Sequence, residues 1–226
     1  MNVKRFNLIL VVLVASYASS AADNDNVERK PNILLILSDD HSYPHAGCYG
    51  DPNVLSNNIT PHLDEFAKQS MRFDKAYTTA PQCAPSRISI FTGAHPVGLG
   101  VTRFTQPAGS DVQFFTDVLR KNGYWVGLDG RHQHLDGRSR PLKHEEQTMI
   151  DEGMKNLDSR FDHFVPRADT RGKELEKIPE KINAILDEVP ENKSFFLYFG
   201  FQQPHRRFDK DYEDISPDGL ILPPDW

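Results

Sequence analysis

The sequence predicts an α/β fold built on a mostly parallel central sheet flanked by helices, and three observations carry that expectation. Two runs, Ile33-Leu34-Leu35-Ile36-Leu37 and Phe195 to Phe201, are apolar at nearly every position, as in strands covered on both faces of a parallel sheet. Between them lie stretches with apolar residues at helical spacing, so strand and helix patterns alternate along the chain. Polar clusters follow three of the strand candidates: Asp39-Asp40, Arg131 to His134, and His205-Arg206. Ligands of such sheets bind beyond the carboxyl ends of strands, so these clusters define one expected site.

Taken in order, the first segment, MNVKRFNLILVVLVASYASSAAD, has the form of a secretory signal. Lys4 and Arg5 give a charged start, and Phe6 to Val14 form an apolar stretch too short to span a bilayer. Ser19-Ser20-Ala21 and Ser20-Ala21-Ala22 offer small-residue cleavage sites. Residues 1–22 are therefore expected to be a signal peptide and 23–30 a flexible segment, with the folded part over 31–226. The expectation is export, to a periplasmic, extracellular or lysosomal location according to the organism.

After the strand at Ile33–Leu37, Thr60-Pro61 predicts a helix start, with Thr60 as cap and Leu63, Phe66 and Ala67 on the buried side. Phe73 to Tyr77 predicts a short strand. Asp111 to Lys121 predicts a helix with Phe114, Phe115, Val118 and Leu119 on one side and Gly123 as its stop. Tyr124 to Leu128 predicts a strand. Residues 131–172 are polar and carry no periodic pattern. Leu175 to Val189, with Ile178, Ile182, Ile185 and Leu186 at helical spacing, predicts a helix whose start Pro179 moves later.

The composition, 226 residues with 38% hydrophobic, 26% charged and a formal charge of −6, is that of an ordinary globular chain with one substantial core. It carries no basic stripe, which argues against nucleic acid as a partner. No other segment is apolar enough to suggest stable membrane insertion.

The chemistry is concentrated in residues 81–93, Pro-Gln-Cys-Ala-Pro-Ser-Arg-Ile-Ser-Ile-Phe-Thr-Gly. Pro85 suits the first turn of a helix, which Ser86 to Phe91 can continue. Cys83 then falls at the helix N-terminus, where free N–H groups and the dipole favour an anion. Arg87, four residues on, lies one turn along the same face and offers a bidentate fork to oxygens. A second reading is open for Cys83. The chain has 2 cysteines, and an exported protein could pair Cys48 with Cys83, a bridge adding about 3 kcal/mol in the chain-entropy model. Only three residues separate Cys83 from Arg87, which excludes the C-x5-R phosphatase pattern.

Asp39 and Asp40 at a strand end would repel each other, and a divalent cation relieves that. All-oxygen ligation suits calcium or magnesium better than zinc. The alternative is an ordinary loop pair of aspartates. His134 and His205 fall in polar clusters that follow strand candidates; His41, His45, His62, His95, His144 and His163 take the reading of ordinary surface or core histidines.

The order C-x-P-S-R at Cys83, Pro85, Ser86 and Arg87, with Thr92-Gly93 behind it, resembles the signature of the sulfatases, of the alkaline-phosphatase-like superfamily. Gln82 stands where that family has a small or aliphatic residue. The resemblance implies that Cys83 is oxidised to formylglycine by a formylglycine-generating enzyme, that Arg87 supports this nucleophile, and that Asp39 and Asp40, with residue 83, hold Ca2+ or Mg2+. Gly130-Arg131-His132-Gln133-His134-Leu135-Asp136-Gly137 is similar to the family's Gly-Lys-x-His-Leu-Gly segment. Arg131 stands at the sulfate-binding lysine, and His134 matches the histidine that acts on the covalent intermediate, with His132 as a rival. Pro204-His205-Arg206 is similar to the segment of heparan N-sulfatase and iduronate-sulfatase-like members, in which the histidine contacts substrate sulfate.

The resemblance runs from residue 31 to about 226 and matches the N-terminal part of a sulfatase catalytic domain; the family's later Asp-Asn pair and second lysine have no counterpart here. It implies a sulfuric ester hydrolase acting on a sulfated small molecule or glycan. Two alternatives remain: a phosphonate or phosphodiester hydrolase of the same superfamily, and a truncated, non-catalytic sulfated-glycan binding protein.

Overall fold

In the computed structural model the described residues are 30–43, 45–103, 108–109, 111–130, 135, 159–165 and 176–205, with the backbone alone of 8–13 and 157–158. Among them, five strands form one sheet: β1 (Leu8–Leu13), β2 (Ile33–Ser42), β3 (Trp125–Gly130), β4 (His163–Phe164) and β5 (Phe195–Pro204), in the order β1-β2-β5-β3-β4. β2, β5, β3 and β4 run parallel, and β1 joins the β2 edge antiparallel. The segment expected to be the apolar part of a leader thus supplies an edge strand.

β5 is the central strand, and its side chains alternate between two cores. Phe196 and Tyr198 join Leu35 and Leu37 of β2 and Val126 and Leu128 of β3 on one face. Leu197 and Phe199 join Trp125 on the other. Three parallel neighbours covered on both faces leave no polar positions, which is why the strands read as continuous apolar runs. Each fully buried aliphatic or aromatic side chain of this kind stabilises the fold by about 1.5–3 kcal/mol.

The helices are α1 (Pro52–Ser56), α2 (Pro61–Ala67), α3 (Cys83–Thr92), α4 (Phe115–Lys121) and α5 (Ile178–Asp187). α3 covers the first core with Ile88 and Phe91, while α5 covers the second with Ile178 and Ile185. Two strand ends are shaped by left-handed residues. Asp40 has φ 56, and Gly130 has φ 77. A Cβ at Gly130 would stand 2.1 Å from the Gly200 carbonyl oxygen, so only glycine fits this approach of β3 to β5.

Four expectations change. Residues 73–77 form no strand: Phe73 and Tyr77 are exposed, and no neighbouring strand pairs with the segment. Thr60 does not cap α2. Its hydroxyl instead accepts from Gly47 N (2.9 Å) and donates to Asp64 (3.1 Å), tying the loop after β2 to the helix. The helix expected from Asp111 begins at Phe115, because the Asp117 carboxylate reaches back to Phe114 N (3.0 Å) and closes the first turn there. Cys48 and Cys83 are free thiols, so the alternative disulfide is not formed.

Candidate active site

The site lies where β2, β5 and the start of α3 meet on the first face of the sheet. β2 delivers Asp39 in the same alternation that buries Leu35 and Leu37, so the carboxylate arrives only 3% exposed. The register of β2 on β5 then shifts, from Ser38 opposite Phe201 to Asp39 opposite Pro204. The extra residues on β5 carry His205 up beside Asp39. Its backbone N–H donates to Gln202 O (2.8 Å), which turns the chain at that point.

α3 begins at Cys83 and ends at Thr92, with Gly93 (φ 67) as its left-handed stop. Cys83, Arg87 and Phe91 are spaced four apart and share one stripe. Cys83 Sγ donates to Asp39 Oδ1 at 3.5 Å. Arg87 Nη2 donates to the same oxygen at 3.1 Å, and Nη1 donates to the Tyr198 hydroxyl. Phe91 packs edge-on against the Tyr198 ring, with centroids 5.6 Å apart. The guanidinium is 3% exposed. Burial opposes its charge, but Tyr198 and Asp39 more than offset that and hold it protonated above its ordinary range.

The Cys83 thiol is pushed up to about 12, first by burial and then by the negative charge of Asp39, against the opposing pull of Arg87. Such a thiol stays protonated at neutral pH and is a poor thiolate nucleophile.

Asp39, Cys83 and His205 each offer one ligand atom, and the three atoms lie within 4.8 Å of one another, the grouping expected of a cation site. Asp40 does not join this trio. Its Oδ2 lies 3.5 Å from His205 Nε2 and steadies the imidazole from the exposed side. The structure thus brings together Asp39, Asp40, Cys83, Arg87 and His205. Arg131 and His134 lie outside the described residues. Tyr198, which the sequence reading did not single out, is the added member. Its signal was a lone hydroxyl within the apolar run Phe195–Phe201, where a buried O–H needs a partner.

His163 stands apart from this site. It sits on the opposite side of the sheet, between Asp129 (Nε2 to Oδ2, 3.1 Å) and Glu188 (Nδ1 to Oε2, 2.9 Å), while Lys181 reaches the other Asp129 oxygen at 2.7 Å.

A family model described as Sulfatase matches residues 31–219. An ulvan-active sulfatase from Formosa agariphila is 30% identical over 214 residues, 86% of this chain and 40% of that protein. An N-acetylglucosamine-6-O-sulfatase from Bacteroides thetaiotaomicron is 27% identical, over 89% of this chain and 35% of that one. The chain therefore spans well under half the length of these relatives. A solved structure of a protein in complex with its substrate D-glucosamine-2-N,6-O-disulfate superposes with a TM-score of 0.60 at 25% identity, covering 79% of this chain and 35% of that one. No helix among the described residues is long and apolar enough to cross a membrane.

Proposed function

We propose, from the premise that this chain belongs to the sulfatase family, that it carries the nucleophile half of a site hydrolysing sulfate esters on sugars. The observation that carries the reading is the convergence of Asp39, Cys83 and His205 within 4.8 Å, with Arg87 fixed on Asp39. The named activities of the two relatives and the disulfated sugar of the solved complex support a sulfated glycan as the substrate class.

In this reading a formylglycine-generating enzyme converts Cys83 to formylglycine, whose hydrate supplies two oxygens on one carbon, one to attack sulfur and one to expel sulfate and restore the aldehyde. The conversion also replaces sulfur by oxygen in the ligand group. The thiol, imidazole and carboxylate set suits a borderline metal such as zinc, whereas an oxygen at residue 83 suits Ca2+ or Mg2+. Asp39 and residue 83, with Asp40 turned in from its place beside His205, would hold that cation, which would supply positive charge against the charge developing on the sulfate oxygens.

Arg87 holds the oxygens of residue 83 from the buried side, where its charge is little screened. His205 donates a proton to the sugar oxygen as the S–O bond to it breaks. Arg131 binds sulfate, and His134 takes the proton of the second hydroxyl as sulfate leaves. In this reading the leader is cleaved on export, and the exported protein begins near Ala22 or Asp23, without the β1 segment.

The test is mass spectrometry of the tryptic peptide containing Cys83, from chain co-expressed with a formylglycine-generating enzyme. A loss of about 18 Da against the free cysteine is expected, the change from thiol to aldehyde. An unmodified thiol, in a preparation whose control sulfatase is converted, overturns the reading. Cys83→Ser, left unconverted, is expected to stall after one turnover on nitrophenyl sulfate, because a single alcohol has no second hydroxyl with which to expel sulfate.

A further inference from the structure

We propose that Tyr198 is the positioning residue of this site: its hydroxyl, reaching through the sheet face from β5, sets where Arg87 points. The inference rests on the sulfatase reading and adds to it a residue that the reading did not include.

Arg87 is a long side chain with several rotatable bonds, and it must present one edge of its guanidinium to a reacting group. Left to itself such a side chain samples many rotamers, and freezing it costs conformational entropy. Here the freezing is distributed over two strands. Nη2 is fixed by Asp39 of β2 at 3.1 Å, and Nη1 by the Tyr198 hydroxyl of β5. Two donors on different nitrogens fix the plane of the guanidinium as well as its position, which a single contact to Asp39 would not do.

Tyr198 is itself immobile. It is 0% exposed, it lies in register with Leu35 of β2 and Leu128 of β3, and its ring packs on Phe91, one helical turn beyond Arg87. Ring and hydroxyl therefore grip two consecutive positions of the Cys83–Arg87–Phe91 stripe. This sets the roll of α3 on the sheet as well as the guanidinium. Phenylalanine at 198 would keep the packing on Phe91 and lose only the contact to Arg87, so packing and positioning separate in one substitution.

The experiment is a double-mutant cycle of Tyr198→Phe and Arg87→Lys in the full chain co-expressed with a formylglycine-generating enzyme. It is read on kcat and KM for nitrophenyl sulfate. It is read again, without turnover, on binding of inorganic sulfate to the Cys83→Ala form in calcium buffer. Tyr198→Phe alone is expected to lower kcat about 10- to 100-fold, the size typical of removing a group that orients a ligand or catalytic side chain, with KM changed less than about threefold. It should weaken sulfate binding in the parent and have no further effect once Arg87 is lysine. Unchanged kcat and sulfate binding in Tyr198→Phe, or equal losses with and without Arg87, would overturn the role of Tyr198 alone. A converted parental chain that neither hydrolyses the ester nor binds sulfate overturns the sulfatase reading, and this inference with it.

Discussion

Two buried aspartates, Asp39 and Asp129, sit near the carboxyl ends of β2 and β3, each followed by a left-handed residue, Asp40 or Gly130. Their surroundings diverge. Asp129 faces the α5 side, where Lys181 takes Oδ1 at 2.7 Å and His163 takes Oδ2 at 3.1 Å. Both oxygens are matched by basic groups of the protein, and the cluster is closed. Asp39 faces the α3 side, where a single oxygen, Oδ1, takes both Arg87 and the Cys83 thiol, and His205 stands within ligand reach. The same residue type at equivalent strand ends thus makes a strut on one face and a site on the other. Each carboxylate has a cationic partner, Arg87 or Lys181; what separates them is whether the neighbouring groups spread over both oxygens or converge on a common point beside one.

The largest effects should distinguish the two by what they damage. Asp39→Asn is expected to cut kcat/KM on a sulfate ester by at least about 100-fold at temperatures where the variant is fully folded. The bound divalent cation, read by elemental analysis, should be lost with it. A variant retaining both would show that Asp39 is as closed a pair as Asp129. Asp129→Asn should do the reverse. Removing one partner of a buried ion cluster leaves Lys181 and His163 uncompensated. Unfolding free energy should fall by about 3 kcal/mol, the lower end of the range because Lys181 is partly exposed. Urea denaturation measures this, and the activity of the molecules that remain folded should change little. A stable but inactive Asp129→Asn would erase the distinction between strut and site.

How much of this contrast the sequence carried depends on range. The α3 site was legible because its information is local: Cys83, Pro85, Arg87 and Gly93 fall within one helix, and the Asp39-Asp40 pair marks a strand end by itself. The runs at Ile33–Leu37 and Phe195–Phe201 were legible because a parallel strand covered on both faces leaves no polar positions. The Asp129 cluster was not, since its four residues come from β3, β4, α5 and the residue just after α5, and no periodic pattern links His163 to Lys181. The expected strand at 73–77 failed for a related reason. Only its two end residues, Phe73 and Tyr77, have strand propensity; Asp74, Lys75 and Ala76 disfavour a strand, and none of the described strands pairs with it. The bulge that brings His205 beside Asp39 is equally invisible, because it is a property of the pairing of two strands and of neither sequence alone.

The smallest effect sharpens the strut. His163 has a carboxylate at each ring nitrogen, Asp129 at Nε2 and Glu188 at Nδ1, with the Lys181 ammonium sharing Asp129 and the Trp125 ring lying alongside, 6.2 Å between centroids. Both nitrogens can donate only in the imidazolium form. The hydrogen bond to Asp129 is the main cause that raises His163 above its ordinary value of 6.5, with Glu188 adding to it against the opposing effect of burial. A group whose folded value is raised stabilises fully below its unfolded value, and that contribution is lost as pH rises through the folded value. Asp129 is shifted the other way: burial works against its charge, but His163 and Lys181 outweigh it, so its share of stability is present above its ordinary value and disappears only as pH falls through the lowered one. Between those limits the strut is at full strength, so the urea midpoint should decline on the alkaline side, from about pH 6.5 upward. In His163→Gln that alkaline decline should flatten while the acid limb from Asp129 persists. The same alkaline decline in both proteins would mean that His163 is neutral in the fold and that Lys181 alone holds Asp129.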